Sequence, residues 1–218
     1  MSLTLHMHPL SSYCWKVLIA LYENETPFEA RVLDLSDPAV VAAFKALWPT
    51  TKMPLLRDDA AGRTVPETSI IIEYLQAAYP GPMRFIPEDP DAALRTRLMD
   101  RLFDLYVMTP MQAIVGDRIR PAGVAKDPYG VAQARERLAM AYEMLEAELA
   151  GRTWAAGEDF SLADCAAAPA LFYADKVAPL GETYPNVSAY LDRLLSRPSF
   201  ARVLQEAEPY FKMFPTGD

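Results

Sequence analysis

The chain has little of what most metal, redox and hydrolytic chemistry is built from. Its 218 residues include two cysteines, two histidines and nine glycines. Cys14 and Cys165 stand far apart, in no metal or redox-pair spacing. A disulfide scaffold is therefore excluded, and reduced thiols in a cytoplasmic protein are expected. His6 and His8 share one face of a predicted strand with no third ligand in view, so no metal site is expected. A Ser-His-Asp hydrolase would have to draw on one of the same two side chains. No glycine stands at the spacing of a phosphate-binding loop, a dinucleotide fingerprint or a nucleophile elbow. No apolar run approaches the ~20 residues of a membrane helix, and Met1 to Leu10 do not read as a secretion signal. Basic residues are also scarce: 21 against 29 acidic, a net charge of −8. With no basic block in either half, nucleic acid and anionic membrane surfaces are not expected partners.

What is present describes a folded chain of roughly one and a half typical domains, 51% hydrophobic and 23% charged. Leu3, Leu5 and Met7 alternate with polar residues and predict a strand; Ser12 to Glu23 changes to helical period. A strand over Glu29–Leu33 and a helix over Ala39–Trp48, capped by Asp37-Pro38, follow. Pro54–Arg57 and Thr64–Val65 read as two strands joined by a tight turn, and Thr68–Tyr79 as a helix. The order βαβ then ββα predicts a four-stranded mixed sheet flanked by helices, an α/β domain over residues 1–80. Pro80, Pro82, Pro87 and Pro90 mark residues 81–90 as a linker. Beyond it residues 91–218 read as all-helical. A leucine stripe, Leu94, Leu98, Leu102 and Leu105, opens a helix expected to run towards Arg120 with a kink near Pro110. Further helices are expected over Tyr129–Ala150, Leu162–Val177, Val187–Ser196 and Phe200–Glu206. Ser161 and Asp164 have the spacing of a capping box, a folding device.

Three places carry polar chemistry. Ser11-Ser12-Tyr13-Cys14 lies where the first strand gives way to the first helix. A hydroxyl there can cap the helix, or it can donate to a thiolate held by the helix N-terminus. Cys14 reads either as a packed residue or as a reactive one. Met53-Pro54 opens a strand and is a candidate for a cis bond; backbone groups beside it can pair with an extended ligand. Glu67-Thr68-Ser69 begins a helix, where an acid can hold an ammonium and a hydroxyl with free N–H groups can hold a carboxylate. Together they suit an α-amino-acid head group.

These segments resemble the cytosolic glutathione transferases along essentially the whole chain. SSYCWKVLIAL resembles the serine-type active-site segment, TKMPLL the segment ending in the cis-proline, and ETSIIIEYL the acid-plus-hydroxyl motif. FSLADCAAAP resembles the capping box of the helical domain, and YPNVSAYLDRLLSRPSF the C-terminal signature. The resemblance, to theta- and zeta-like bacterial members, implies a thioredoxin-like domain joined to an all-helical domain that shapes the pocket for a small hydrophobic electrophile. It implies glutathione as co-substrate, with no metal and no nucleotide, and a homodimer. Ser11 would be the catalytic hydroxyl. Ser12, Lys52, Met53, Pro54, Glu67 and Thr68 would bind glutathione, with Tyr106, Met108 and Met111 facing the electrophile. Trp48-Pro49-Thr50-Thr51 departs from the usual Asn-Pro-x-Gly before Lys52. The rival readings are a glutathione-dependent reductase or dehalogenase built on a cysteine, an isomerase, and a non-catalytic interaction module on the same fold.

Overall fold

The computed structural model describes residues 2–215. Four strands, β1 (Leu3–Met7), β2 (Glu29–Val32), β3 (Leu55–Asp58) and β4 (Arg63–Pro66), form one sheet in the order β2-β1-β3-β4. β1 pairs parallel with β2 and antiparallel with β3, which pairs antiparallel with β4. The parallel pair requires a crossover, supplied by helix α1 (Ser12–Glu23). Gly62, at φ +64°, makes the turn between β3 and β4, a conformation in which a Cβ is disfavoured. Helices α2 (Pro38–Leu47) and α3 (Thr68–Ala78) complete this thioredoxin-like unit.

The helical part comprises α4 (Pro90–Leu102), a π-helical segment (Phe103–Met108), α5 (Thr109–Arg118) and α6 (Pro128–Glu148). These are followed by α7 (Leu162–Val177), α8 (Pro185–Leu195), α9 (Pro198–Ala207) and a closing 3-10 turn over Glu208–Met213. Much of the chain's proline serves as punctuation. α2, α4, α6, α8 and α9 all begin on proline, where the missing N–H costs nothing. Asp37, Asp89 and Asp127 cap three of them, each accepting a backbone N–H at 2.8 Å.

The kink expected near Pro110 takes a different form. Thr109 donates its N–H to the Asp104 carbonyl, five residues back, and its hydroxyl reaches the same oxygen at 3.1 Å. Pro110 cannot donate to the preceding turn, and the widened π turn absorbs that loss just upstream. The wider turn brings Asp104, Leu105, Thr109 and Gln112 to one cleft.

The leucine stripe is also displaced from where an apolar face ordinarily lies. Leu94 is 68% exposed and Leu98 and Leu105 are about half exposed, while Ala93, Met99, Phe103 and Val107 enter the core. That core is continuous between the two parts. Trp15 of α1 stacks on Tyr173 of α7 at 4.7 Å and meets Phe172 and Phe200. The proline-rich passage is strapped to both. Asn24 bonds Met83 through donor and acceptor, Gln76 does the same with Ile86, and the Phe85 carbonyl accepts the Leu162 N–H. At the start of α7, the buried Asp164 accepts from the N–H groups of Ser161 and Ala155 and from the hydroxyls of Ser161 and Tyr190.

Candidate active site

Two cavities adjoin where the sheet meets the helical part. The first, about 360 Å³, is lined on one side by Tyr13, Lys52, Met53, Pro54, Glu67 and Thr68. Arg101, Asp104 and Gln112 close the other side. Five of the six residues expected to bind glutathione thus share one cleft.

Each is placed by local backbone. The Met53–Pro54 peptide is cis, so β3 begins just after a sharp reversal that follows Thr51, itself left-handed at φ +55°. Glu67 sits at φ +69°, between β4 and α3. That conformation is unfavourable for a residue with a Cβ, and strain of this kind is most often found where a side chain must be aimed. The Glu67 side chain makes no capping bond to α3 and stays exposed, whereas Thr68 is buried in the first turn. A carboxylate and the free N–H groups of a helix start therefore face the same space.

Ser11 lines the second cavity, about 390 Å³, together with Ser12, Met111, Gln112, Tyr173 and Phe214. Gln112 is shared between the two cavities. The loop before Ser11 is clamped from both parts of the molecule. The Trp15 indole N–H donates to the Pro9 carbonyl at 2.5 Å and the Tyr173 hydroxyl to that of Leu10 at 2.9 Å. Ser11 is the N-cap of α1, and its oxygen accepts the Cys14 N–H at 3.4 Å. Capping and thiolate stabilisation are compatible here, because the cap uses the oxygen lone pair and leaves the hydroxyl proton to donate. Ser12 is buried.

Cys14 is fully buried behind Ser11, and burial pushes its thiol up to about 11, against a smaller lowering by the Ser11 contact. Such a thiol is neutral at pH 7 and poorly suited to nucleophilic or redox work. Tyr13, facing the first cavity, is pushed up to about 12 by burial and by the nearby Asp104 carboxylate, so its phenol remains a donor.

A buried ionic cluster underlies the first cavity. Lys16, 1% exposed, lies 2.5 Å from Asp100 and 2.8 Å from Asp104, and donates to Ser69 at 3.1 Å. Arg101 bridges the same two carboxylates from the solvent side at 2.8 and 2.6 Å. Two cations against two anions leave the cluster neutral, which a buried site requires. Burial nonetheless holds the Asp104 carboxyl above the usual carboxylate range, against the opposing pull of Lys16.

The three residues expected to face the electrophile are dispersed. Met111 lines the second cavity. Met108 is buried in the core, and Tyr106, 55% exposed, lies in an outer groove with Leu105 and Met140. Tyr106 and Met108 stand two apart, so they face opposite sides of the helix whatever its winding. Sequence reasoning missed Tyr13, Arg101, Asp104, Gln112 and Met213 to Pro215. One signal was readable: a lysine inside the apolar run Trp15–Leu21 demands buried carboxylates, and Asp100 and Asp104 stand four apart on one helix.

The family model described as "Glutathione S-transferase, N-terminal domain" matches residues 5–83, and "Glutathione S-transferase, C-terminal domain" matches 102–198. A solved glutathione S-transferase from Methylobacterium radiotolerans, in complex with glutathione sulfonate, is 30% identical, with TM-score 0.77 over 92% of this chain and 93% of that one. The chain belongs to the glutathione S-transferase family. Among curated relatives of this family member, glutathione S-transferase GstB of Escherichia coli K12 is 26% identical over 193 residues, 87% of this chain and 91% of that protein. FtsZ-localized protein A of Caulobacter vibrioides is 30% identical over 214 residues, 94% of this chain and 92% of that protein.

Proposed function

We propose that this glutathione S-transferase is of the serine type, resembling theta- and zeta-like members, and activates the glutathione thiol with Ser11. The observation that carries the reading is the placement of Ser11 at the start of α1 beside the cavity that holds Glu67, Thr68 and Met53. The Glu67 carboxylate pairs with the γ-glutamyl ammonium, and the Thr68 hydroxyl and N–H hold its carboxylate. The Met53 backbone pairs with the cysteinyl unit, as a strand added to a sheet. Lys52 meets the glycyl carboxylate, and Ser12 and Pro54 shape the backbone around the tripeptide. The sulfur then lies near Ser11, at the helix N-terminus. A free thiol near pKa 8.5 is only a few per cent ionised at pH 7, so a donor that stabilises the thiolate supplies much of the activation. Holding it beside a small hydrophobic electrophile adds proximity. Tyr106 and Met108 drop out of direct contact with the electrophile; Met111 stays.

The protein works as a cytoplasmic homodimer in this reading, in detoxification. Its dimer face includes the exposed apolar side chains Leu94, Leu98, Leu105, Tyr106 and Met140, of the kind an interface covers. A second reading, a non-catalytic interaction module, is favoured by one relative being named for its localisation with FtsZ. The full set of polar groups in the cleft favours the enzyme.

The thiolate absorbance of bound glutathione, titrated with pH, tests the assignment. Ser11→Ala is expected to raise the pKa of the bound thiol and lower kcat together, with Cys14→Ser leaving the thiol pKa in place. A shift with Cys14→Ser and none with Ser11→Ala would overturn it in favour of cysteine chemistry.

A further inference from the structure

His8 to Ser11 carry the chain from β1 to the N-cap of α1, and the backbone between them is bonded throughout. The Pro9 and Leu10 carbonyls accept from the Trp15 indole and the Tyr173 hydroxyl. The His8 carbonyl accepts the Ser11 N–H at 3.0 Å, and the Ser11 carbonyl accepts the Trp15 N–H at 3.0 Å. Pro9 has no N–H, which leaves the Leu10 N–H, and that one is held by a side chain. It donates to the His8 Nδ1 at 3.2 Å. An imidazole nitrogen that accepts an N–H is unprotonated, so the ring is neutral and carries its proton on Nε2. Of the groups that hold this loop, His8 alone changes charge near neutral pH. The Trp15 indole is a donor only, and burial pushes the Tyr173 hydroxyl above its ordinary 10. The His8 ring is half-buried, with Tyr210 of the closing 3-10 turn edge-on to it at 6.5 Å between ring centres. The same turn carries Glu208 and Lys212, both exposed, and His6 lies two residues back on β1. None of these is an ionic partner of the ring; burial is what acts on its protonation, and it favours the neutral form.

We infer that His8 is a positioning residue: as a neutral acceptor for the Leu10 N–H it fixes the backbone that aims the Ser11 hydroxyl at the glutathione sulfur, and its protonation releases that backbone. The inference rests on the reading of Ser11 as the thiolate donor given above. A proton on Nδ1 sets two donors against each other and leaves the Leu10 N–H without its partner. The bond is therefore present above the ring's folded-state pKa, which burial places below 6.5, and is lost as pH falls through it. With the loop released, Ser11 donates less well and the bound thiol ionises less readily. Glu67 and Thr68 stand on a different connection, between β4 and α3, so the effect falls on thiol ionisation and not on affinity. A charge on the ring acting only through space would do the reverse, because an imidazolium attracts a thiolate.

The test uses the full-length protein with reduced glutathione, and the variants His8→Leu and His8→Asn. Leucine removes the acceptor. Asparagine restores one that does not titrate, because its side-chain oxygen accepts the N–H two residues on in an Asx turn. The thiolate absorbance of bound glutathione is followed against pH, with the His8 ring titrated by NMR and glutathione binding measured by calorimetry. His8→Leu is expected to raise the pKa of the bound thiol by about half to one unit, and His8→Asn to return it to the wild-type value. Below the His8 pKa read by NMR, the wild-type thiolate signal is expected to fall more steeply than a single-proton curve, whereas His8→Asn follows one. Three results overturn the inference: a thiol pKa unmoved in His8→Leu, no rescue in His8→Asn, or a wild-type curve no steeper than that of His8→Asn. Weakened glutathione binding in both variants with the thiol pKa unmoved also overturns it, by making His8 a support of the cleft alone. An unmoved thiol pKa in Ser11→Ala is a separate result and fails the underlying reading.

Discussion

Replacing Lys16 with methionine, which keeps an unbranched side chain one atom shorter and removes its charge, is predicted to destabilise the protein by about 3–5 kcal/mol. Lys16 lies within 2.8 Å of two carboxylates that are both nearly inaccessible to water. At an effective dielectric of about 20, each contact is worth on the order of 6 kcal/mol of attraction before desolvation is subtracted. The substitution also removes the cost of burying an ammonium, which brings the net effect down to that of an uncompensated buried charge. Arg101 alone then faces Asp100 and Asp104, leaving one excess negative charge. Urea unfolding of the single variant and of Lys16→Met with Asp104→Asn measures this directly. The second substitution restores neutrality, so the pair is predicted to recover half or more of the loss, a strongly non-additive cycle. The penalty has a pH signature with a definite sign. The Asp104 carboxyl is already above its ordinary 3.8, and losing Lys16 raises it further. The folded variant then binds a proton more readily than the unfolded chain, so its deficit shrinks as pH falls from the raised folded value towards 3.8. A loss under about 1 kcal/mol, or additive losses in the cycle, would refute the cluster as a source of stability.

Two further outcomes follow from buried imidazoles and uncovered leucines. His6 and His8 are both lowered from 6.5, chiefly by burial; Arg31 pushes His6 the same way and Glu29 opposes it, while the His8 Nδ1 accepts the Leu10 N–H. Their neutral forms are favoured in the folded state. The stability they contribute is therefore full above 6.5 and lost as pH falls through the folded values, and NMR should show both titrating below 6.5; either one titrating above it contradicts their burial. Leu94→Lys with Leu98→Lys is expected to shift sedimentation from dimer to monomer while leaving the melting temperature of the fold nearly unchanged; an unaltered sedimentation profile would place the interface elsewhere.

Most of the fold was legible because the first 80 residues punctuate themselves. Asp37-Pro38, Met53-Pro54 and the turn at Gly62 sit at real element boundaries, and the Ser161–Asp164 box starts α7 where it was expected. Ser11, Pro54, Glu67 and Thr68 were readable for the same reason: they occupy helix and strand starts, where local backbone chemistry fixes position. The helical side of the site was not. Tyr106 and Met108 stand two apart on the π-helical segment Phe103–Met108, and residues so spaced cannot share a face, so Met108 turns inward and Tyr106 outward. The leucine stripe misled in a second way. Apolar residues at helical spacing mark a face that will be covered, but not by what, and here the core took alanine, methionine and phenylalanine from the opposite side of the helix. Gln112 and Phe214 reach the site only through tertiary packing of α5 and the chain's last turn, which no local pattern encodes.

The central claim is that the cleft at Glu67 and Thr68 binds glutathione, and isothermal titration of reduced glutathione into the protein at neutral pH tests it most directly. The prediction is saturable binding near one site per chain, weakened about tenfold or more by Glu67→Gln, which removes the charge while keeping the side chain's shape. No detectable binding up to about millimolar ligand, or binding indifferent to the Glu67 substitution, would contradict the account.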